Sequence, residues 1–229
     1  MTTHENTIMR LLNGLTDQLL TPVQGLPEDA HVVHLGCGTG GLSLALARRR
    51  PDLRITAIDV NPTALEAGRA GAAGQNLSVE FRTMSMADLT FADSSVDAVI
   101  SRMGLFLPGT APFEVAAREA ARIFRPGGLL SIGTWDDLDG SPYTRIGLSV
   151  LRKVLPAGAV PELEVAFAES VRPGAFEEHL RAAGFRDIAA DWFHWDTEYP
   201  DFAAWWGYDT RSHRCSAPST TGSRPSPSR

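Results

Sequence analysis

The feature that most constrains this chain is an apolar run that ends abruptly in glycines, Val32-Val33-His34-Leu35-Gly36-Cys37-Gly38-Thr39-Gly40-Gly41-Leu42. The apolar run predicts a strand, and the helical spacing of Leu42, Ala45 and Leu46 predicts a helix directly after the turn. Glycines allow positive φ and let a ligand approach the backbone closely. The first N–H groups of a helix also carry partial positive charge. The stretch therefore predicts a site for a nucleotide-like ligand.

Strands and helices alternate along most of the chain. Hydrophobic patterning predicts strands over 31–35, 53–59, 77–82, 96–101 and 129–135, and a late strand from Phe185 to about Asp191. Helices are predicted over 7–20, 41–50, 62–73, 112–124 and 173–184. The predicted signals for the ends of these elements are an N-cap at Asn61-Pro62, a turn at Arg125-Pro126-Gly127-Gly128 and a helix cap at Gly184. Such alternation predicts right-handed crossovers and a parallel sheet.

Two segments depart from this alternation. Residues 136–172 contain a turn and two helical patterns, near 143–154 and 162–169, and we expect an insertion there. From about Arg211 the composition changes to small, polar and basic residues, and residues 212–229 contain no acidic or large apolar side chain. Such a segment buries too little surface to offset its ordering entropy. We therefore expect a folded domain over 1–210 and a disordered tail over 211–229, and the abrupt change raises the hypothesis of a frame change in the coding DNA.

Composition narrows the class of protein. Hydrophobic residues make up 43% of the chain and charged residues 21%, as in soluble globular proteins. The net charge of −6 gives no electrostatic case for a nucleic-acid partner. Cys37 and Cys215 form neither a disulfide framework nor a metal-site spacing, so no metal is expected. No apolar run approaches the ~18 residues of a membrane span, and no secretory pattern opens the sequence. We expect a cytoplasmic protein without a membrane partner.

An acidic residue, Asp59, follows the glycine turn at the end of the next predicted strand. Asp59 ends the second predicted strand, and a carboxylate there can accept hydrogen bonds from both hydroxyls of a ribose. The spacing Gly36-x-Gly38-x-x-Gly41 also fits the dinucleotide fingerprint, so the turn and Asp59 together predict an adenosine-containing ligand without deciding which one. The structural alternative is a glycine turn without a ligand, with Asp59 acting only as a charge at a helix N-terminus.

Further segments make a family resemblance plain. The chain resembles class I S-adenosylmethionine-dependent methyltransferases and is most similar to the ubiquinone/menaquinone-biosynthesis type. The segments that carry the resemblance are Val33–Gly40, Ile58-Asp59, Phe91–Val99, Ser101–Leu105, Arg125–Gly128 and Ala182–Asp187. The resemblance covers about 30–208. It implies an α/β, Rossmann-like fold with a seven-stranded, mostly parallel sheet, helices on both faces and a helical lid at 136–172.

The resemblance also implies S-adenosyl-L-methionine as the cofactor and indicates which residues hold it. Those residues are His34, Gly36, Cys37, Gly38, Gly40, Asp59, Val60, Ser85, Met86, Arg102 and Met103. The glycines would lie along the methionine part, and Asp59 would hold the ribose hydroxyls. Adenine would meet Val60, Ser85 and Met86. The last two residues of the set would lie beside the methionine part and the transferred methyl group.

Two positions depart from the family pattern. The family usually has an acidic residue where His34 stands, and it commonly has an Asp where Ser85 stands. A neutral His can accept one hydrogen bond from the cofactor's ammonium, whereas a protonated His would repel it. Each loss predicts weaker cofactor binding, by ~1 kcal/mol if one ordinary hydrogen bond is weakened. A core His34 with no role in binding is the alternative.

Methyl transfer asks mainly for alignment of a nucleophile with the methyl group. A hydroxyl nucleophile needs a general base, whereas an activated carbon does not. The candidate bases are His179, His194, Tyr143, Asp136 and Tyr199, and none of them is singled out. Substrate contacts are expected at Trp135, Tyr143 and Phe167. The aromatic residues from Trp192 to Tyr208 either wall a substrate pocket or pack on the sheet.

The sequence therefore predicts methylation of a small molecule at oxygen or carbon by a monomer or homodimer. Three alternatives stay open at this point. An NAD-dependent oxidoreductase would share the glycine turn and Asp59, although Lys153 is the only lysine and no Tyr-x-x-x-Lys motif exists. A protein with the methyltransferase fold could bind the cofactor weakly and not methylate. A non-catalytic binding protein is the third alternative, and no sequence feature favours it.

Overall fold

Five parallel strands form the sheet in the part of the chain that the structure, a computed structural model, describes. The described residues are 14–104, 112–134 and 174–194, with the single residues 149 and 153. They all lie in one structural unit, Leu12–Trp195, and the second unit, Met1–Leu11 with Asp196–Arg229, lies outside them. The rest of the predicted insertion at 136–172 and the tail at 211–229 also lie outside, so the predicted domain organisation stays a prediction.

The elements follow the expected order. The strands are β1 (His31–Leu35), β2 (Arg54–Asp59), β3 (Glu80–Thr83), β4 (Val96–Arg102) and β5 (Phe124–Gly133). The helices are α1 (residues 14–20), α2 (Gly41–Arg49), α3 (Pro62–Ala73), α4 (Phe113–Ile123) and α5 (Ala175–Ala182), with a 3-10 turn at Pro22–Gly25. Asn61 caps α3 as predicted, because its side-chain oxygen accepts hydrogen bonds from the N–H groups of Thr63 and Ala64.

The strand order is β3-β2-β1-β4-β5. The chain builds one half of the sheet outward from β1 to β3, then returns to β1 and builds the other half. Val33 of β1 pairs with Thr56 of β2 on one side and with Val99 of β4 on the other. The carboxyl ends of β1, β2 and β4 therefore meet at one edge, at the switch point where open α/β sheets bind ligands.

Helices cover both faces of the sheet, as expected. Val32, Ile55 and Ile100 face α1 and α2, and a neighbouring cluster on the same face joins α2 and α3 to β2 and β3. On the other face Val33 and Val99 pack against α4, together with the loop that joins β3 to β4. Because apolar side chains of β1 alternate between these two clusters, both faces of this strand are buried.

Side chains of α4 hold the β3–β4 loop through its backbone. Glu119 accepts a hydrogen bond from Leu89 N at 2.9 Å, and Arg122 donates to Leu89 O at 2.6 Å. Arg122 also donates to Phe91 O at 2.9 Å and forms an ion pair with Asp93. The loop that follows β3 is therefore tied to a helix that packs on the sheet.

Three predictions about the sheet need correction. The described residues form five strands rather than the expected seven. Residues 185–191 form no strand, and Asp187 has φ +52°, a left-handed conformation that interrupts extended backbone. The predicted turn at 125–128 lies inside β5, which begins at Phe124 because Val96 pairs with Phe124 and a bulge follows. Gly127, with φ +81°, permits that bulge. The predicted cap at Gly184 is confirmed by its φ of +99°.

Candidate functional site

The three glycines of the turn after β1 differ in their surroundings. Gly36, Gly38 and Gly40 have φ of +61°, +53° and +78°, all in the left-handed region. A Cβ on Gly36 would lie 2.8 Å from the Cα of Gly104, and a Cβ on Gly40 would lie 2.6 Å from the ring of Phe81. A Cβ on Gly38 would meet no described atom within 4 Å. Gly36 and Gly40 therefore allow close packing, and Gly38 leaves room for a ligand.

The structure joins the turn directly to Asp59. One oxygen of the Asp59 carboxylate, Oδ2, accepts a hydrogen bond from Gly38 N at 2.8 Å, and Oδ1 accepts one from Asn61 N at 2.9 Å. The carboxylate is thus fixed at the carboxyl end of β2, and each oxygen keeps a lone pair for a further donor. Val60, the next residue, is 63% exposed and offers an apolar surface beside that carboxylate.

The segment after β3 lies beside the same edge. Met84 N donates to Asp59 O at 3.1 Å, and this contact joins the segment to the end of β2. Ser85 is half-buried, and its hydroxyl oxygen accepts a hydrogen bond from Ala87 N at 3.2 Å. Met86 is buried. Ser85 and Met86, the two predicted adenine contacts of this segment, therefore directly follow a residue that is hydrogen-bonded to Asp59.

The residues that follow β4 pack closely against the glycine turn. Met103 has φ +58° and its N–H donates to Gly133 O at 2.9 Å, so the chain turns sharply after Arg102. A Cβ on Gly104 would lie 2.7 Å from Leu35 O and 2.9 Å from Gly36 Cα. This mutual contact of Gly36 and Gly104 was missed from the sequence, although both residues belong to segments that carry the family resemblance.

His34 lies just before the turn and is buried, with 2% of its surface exposed. Its Nδ1 lies 2.7 Å from the hydroxyl oxygen of Ser43 in the first turn of α2. Burial first, and then the Arg102 charge, lower the pKa of His34 to about 3, so its ring is neutral at pH 7. Burial lowers the pKa of Arg102 to about 10, which leaves it charged at pH 7, and its guanidinium donates to Thr16 Oγ1 at 2.7 Å.

Cys37 contributes a backbone hydrogen bond to the turn rather than a reactive thiol. Its thiol is buried, and burial followed by the nearby Asp59 charge raises its pKa to about 12. A thiol with so high a pKa is protonated at neutral pH and is therefore a poor nucleophile. The Cys37 N–H donates to Ile58 O at 2.9 Å and so extends the pairing of β1 with β2 into the turn.

The structure does not bring the described candidate bases to this edge. His179 lies in α5, where its Nδ1 is 3.5 Å from Glu114 and its ring packs edge-on against Phe113 of α4. His194 is exposed. The other candidate bases and the expected substrate contacts, Tyr143, Asp136, Tyr199, Trp135 and Phe167, lie outside the described residues.

The described residues form neither a metal-binding cluster nor a membrane span. Within 14–104, 112–134 and 174–194, no three side chains of the His, Cys, Asp and Glu types come together as metal ligands. In the same part of the chain, no helix is both long and apolar enough to cross a membrane. At the edge where β1, β2 and β4 end, the Asp59 carboxylate contacts the glycine turn, and the neutral His34 lies near the Arg102 cation.

Comparison with known proteins shows what this region of the chain is similar to. Residues 32–128 match the family described as a methyltransferase domain. The release factor glutamine methyltransferase of Mycolicibacterium smegmatis is 44% identical over 79 residues, which cover 34% of this chain and 28% of that protein. The 2-methyl-6-phytyl-1,4-hydroquinone methyltransferase of Synechocystis is 30% identical over 79% of this chain and 53% of that protein. The demethylmenaquinone methyltransferase of Deinococcus radiodurans is 28% identical over 68% and 67%.

The first relatives to match are longer than the shared region, and the chain spans about 28% to 53% of their length. Among solved structures, the [4+2]-cyclase SpnF has a TM-score of 0.56 at 25% identity, over 74% of this chain and 55% of that one. A Methanococcus maripaludis protein described as an S-adenosyl-L-methionine-dependent methyltransferase has a TM-score of 0.57 at 22% identity, over 79% and 81%. The latter likeness concerns the fold alone. Over residues 32–128 the chain therefore resembles the methyltransferase domain of class I, S-adenosylmethionine-dependent enzymes, among them those of quinone biosynthesis.

Proposed function

We propose that this chain transfers a methyl group from S-adenosyl-L-methionine to an oxygen or carbon atom of a small molecule. The observation that carries the proposal is the Asp59 carboxylate, held by Gly38 N and Asn61 N at the switch point of the sheet, beside the exposed Val60. A fixed acceptor next to an apolar surface suits a ribose and an adenine ring. The relatives named for hydroquinone and menaquinone methylation support a small, ring-shaped substrate.

The residues at the edge fit the cofactor by their chemistry. Asp59 would accept hydrogen bonds from the ribose hydroxyls, Val60 would pack on adenine, and Gly38 leaves space along the turn. When bound, S-adenosyl-L-methionine supplies a methyl group on a sulfonium sulfur that needs no further activation. The task of the chain is therefore to hold a nucleophile in line and to keep water away. Ser85, Met86 and Met103 border the same edge and complete the proposed cofactor contacts.

The substrate side stays a proposal from the sequence. Trp135, Tyr143 and Phe167 are its candidate residues, and a substrate hydroxyl would need a base from among the candidates already named. An activated carbon, such as the ring carbon of a hydroquinone, would need none. The protein is proposed to act in the cytoplasm as a monomer or homodimer.

A second candidate function rests on one observation. SpnF, whose name describes a cyclase rather than a methyltransferase, shares the fold at 25% identity. This likeness supports a chain that has the methyltransferase fold and does not methylate, because the same fold serves different reactions. The match to the methyltransferase domain favours either of these functions over an NAD-dependent oxidoreductase.

Incorporation of a tritiated methyl group into a panel of phenols, hydroquinones and enolic acids tests the proposal. We expect incorporation into at least one class and a loss of ten- to hundredfold in kcat/KM for Asp59→Asn, which weakens hydrogen bonds to a charged group by about 1.5–3 kcal/mol. Asp29→Asn is the matched control, because Asp29 has φ +60°, which Asn tolerates, and lies at the amino end of β1. Binding of the cofactor without incorporation into any class would favour the second candidate, and equal activity of the two variants would contradict the assigned role of Asp59.

A further inference from the structure

One buried polar atom at the candidate site is left without a partner. The Nε2 atom of His34 has no hydrogen-bond partner among the described residues, and it is shielded from solvent. An unsatisfied buried polar group costs about 1–3 kcal/mol, so its presence calls for an explanation. The opposite ring nitrogen, Nδ1, is occupied by Ser43 Oγ at 2.7 Å, so Nε2 faces away from α2.

Counting donors and acceptors indicates which nitrogen carries the proton. If Ser43 donates its hydroxyl hydrogen to Nδ1, the ring proton lies on Nε2, and only that one donor is left unmet. If Nδ1–H donates to Ser43 instead, both the Ser43 hydrogen and the Nε2 lone pair lack partners in the described contacts. The first arrangement leaves fewer groups unsatisfied. His34 then presents an N–H donor in a neutral ring.

Arg102 lies on the same face, one step closer to the edge of the sheet. His34 pairs in register with Ile100, and side chains two residues apart on a strand share a face, so Arg102 follows Ile100 on the side of His34. The guanidinium of Arg102 is held by Thr16 from α1 at 2.7 Å. A cation and an N–H donor therefore converge where β1 and β4 end, and this pairing suits an anion.

We propose that His34 Nε2 and Arg102 bind the carboxylate of the amino-acid part of the cofactor. The inference rests on the proposed function, because it needs S-adenosyl-L-methionine or its product at the turn. The inference gives a different role to His34, which stands where the family usually has an acidic residue. An acid recognises the ammonium group, whereas a neutral His donor beside Arg102 recognises the carboxylate. Cofactor binding by this chain then depends more on the carboxylate than on the ammonium.

Binding calorimetry with four adenosine thioethers tests this dependence without any turnover. The ligands are S-adenosylhomocysteine, its analogue without the carboxylate (5′-(3-aminopropylthio)-5′-deoxyadenosine), its analogue without the amine (5′-(3-carboxypropylthio)-5′-deoxyadenosine), and 5′-methylthioadenosine, which lacks both. Loss of the carboxylate is expected to raise Kd roughly ten- to hundredfold, and loss of the amine less than about fivefold. Equal or reversed penalties would overturn the inference.

A matched pair of variants tests the role of His34 itself. His34→Gln places an amide N–H near the position of Nε2, whereas His34→Asn reaches only the position of Nδ1. We expect His34→Asn to raise the Kd for S-adenosylhomocysteine about tenfold and to leave that for 5′-methylthioadenosine within about twofold, with binding largely retained in His34→Gln. Equal losses for both ligands would show a merely structural role and overturn the inference.

The outcomes separate this inference from the proposed function. If the wild-type chain bound neither S-adenosylhomocysteine nor 5′-methylthioadenosine, the proposed function would fail, and the inference with it. If both ligands bound and the carboxylate made no larger difference than the amine, the inference alone would be wrong. Thermal unfolding of each variant, measured beside the wild type, shows which variants are folded at the temperature of the titration.

Discussion

Two histidines on the same strand, His31 and His34, show how differently the two ends of this sheet are built. Both lie on β1, both have a pKa lowered first by burial, and both lie near an arginine, Arg54 for His31 and Arg102 for His34. His31 opens the strand, three residues from His34 and on the opposite face. Both rings are therefore desolvated and near a cation, although Asp97 also acts on His31, and the two rings differ in their hydrogen bonds.

The amino end of the sheet is a satisfied network. His31 Nε2 lies 3.0 Å from Thr56 Oγ1, which in turn donates to Glu80, and Glu80 forms an ion pair with Arg82. The His31 backbone N–H donates to Asp97 at 2.7 Å. His31, Thr56, Glu80 and Arg82 line a groove of about 460 Å³, yet the charges of Glu80 and Arg82 are already paired with each other. Such a groove needs no ligand to complete its hydrogen bonds.

The carboxyl end leaves a donor unused. Among the described residues, His34 Nε2 is without a partner, Gly38 opens onto free space, and the apolar Val60 is exposed. Cavity volume alone is therefore a poor guide to the site in this molecule. Unsatisfied groups at the switch point of the sheet are the better guide, because a ligand would supply what they lack.

Acid titration gives the largest expected effect and tests the burial of His34. Its pKa is about 3 in the folded chain and 6.5 in the unfolded chain, so the unfolded state binds more protons between these values. Stability is therefore unaffected by this group above pH 6.5 and falls as the pH drops, by up to ~1.4 kcal/mol per pH unit and about 5 kcal/mol by pH 3. Arg102 is the charged group that faces His34, and it stays protonated throughout.

Urea unfolding at pH 7.5, 5.5 and 4.5 measures this loss. Residue 34 does not titrate in His34→Gln, so we expect the free energy of unfolding of this variant to fall by about 2–3 kcal/mol less than that of the wild type between pH 7.5 and 4.5. His31 and the paired carboxylates titrate in both proteins and cancel in the comparison. Parallel curves for the two proteins would show that His34 is already solvated in the folded state.

Two alanine substitutions in the glycine turn give the next largest effect. Gly36→Ala and Gly38→Ala each place a side chain at positive φ, at a cost of roughly 1–2 kcal/mol. In Gly36→Ala the new Cβ also meets the backbone of Gly104, so we expect a total loss of about 3 kcal/mol in unfolding free energy. Gly38→Ala should cost less stability but weaken binding of S-adenosylhomocysteine at least tenfold. The same pattern of losses in both variants would contradict the distinction between packing and ligand space.

Much of the carboxyl edge could be predicted from the sequence because its signals are local. An apolar strand, a glycine turn, an acid after the next strand and the Asn61 cap each depend on neighbouring residues. The bond between Gly38 and Asp59 was not predicted, although the two predicted strands that precede these residues do pair in parallel. The resemblance to methyltransferases favoured S-adenosylmethionine, a choice that the glycine spacing alone left open between two adenosine ligands.

Features that depend on long-range contacts could not be predicted in this way. The pairing of Phe124 with Val96 puts the predicted turn inside β5, and no local pattern signals that register. The apolar residues after Phe185 have the pattern of a strand. Asp187 nevertheless adopts a left-handed conformation, and residues 185–191 form no strand. Likewise, the sequence shows that His34 replaces an acid but not that Ser43 orients its ring, because the two residues meet only after β1 and α2 pack.

A substitution at the amino end gives the smallest expected effect. Thr56→Val removes the hydroxyl that joins His31 to Glu80, and we expect it to lower the free energy of unfolding by about 1 kcal/mol. Since this network has no role in the proposed binding, the Kd for S-adenosylhomocysteine should stay within about twofold of the wild-type value. A tenfold change in Kd would break the contrast between the two ends of the sheet.

The central claim is that the edge formed by Gly38, Asp59 and Val60 binds the cofactor of a methyltransferase. Titration of the full chain with S-adenosylhomocysteine, beside a titration with NAD, tests it most directly. The account predicts saturable one-to-one binding of S-adenosylhomocysteine, a Kd raised ten- to hundredfold in Asp59→Asn and unchanged in Asp29→Asn, and no binding of NAD. Absence of S-adenosylhomocysteine binding at millimolar concentration, or equal affinity in Asp59→Asn and the wild type, would contradict it.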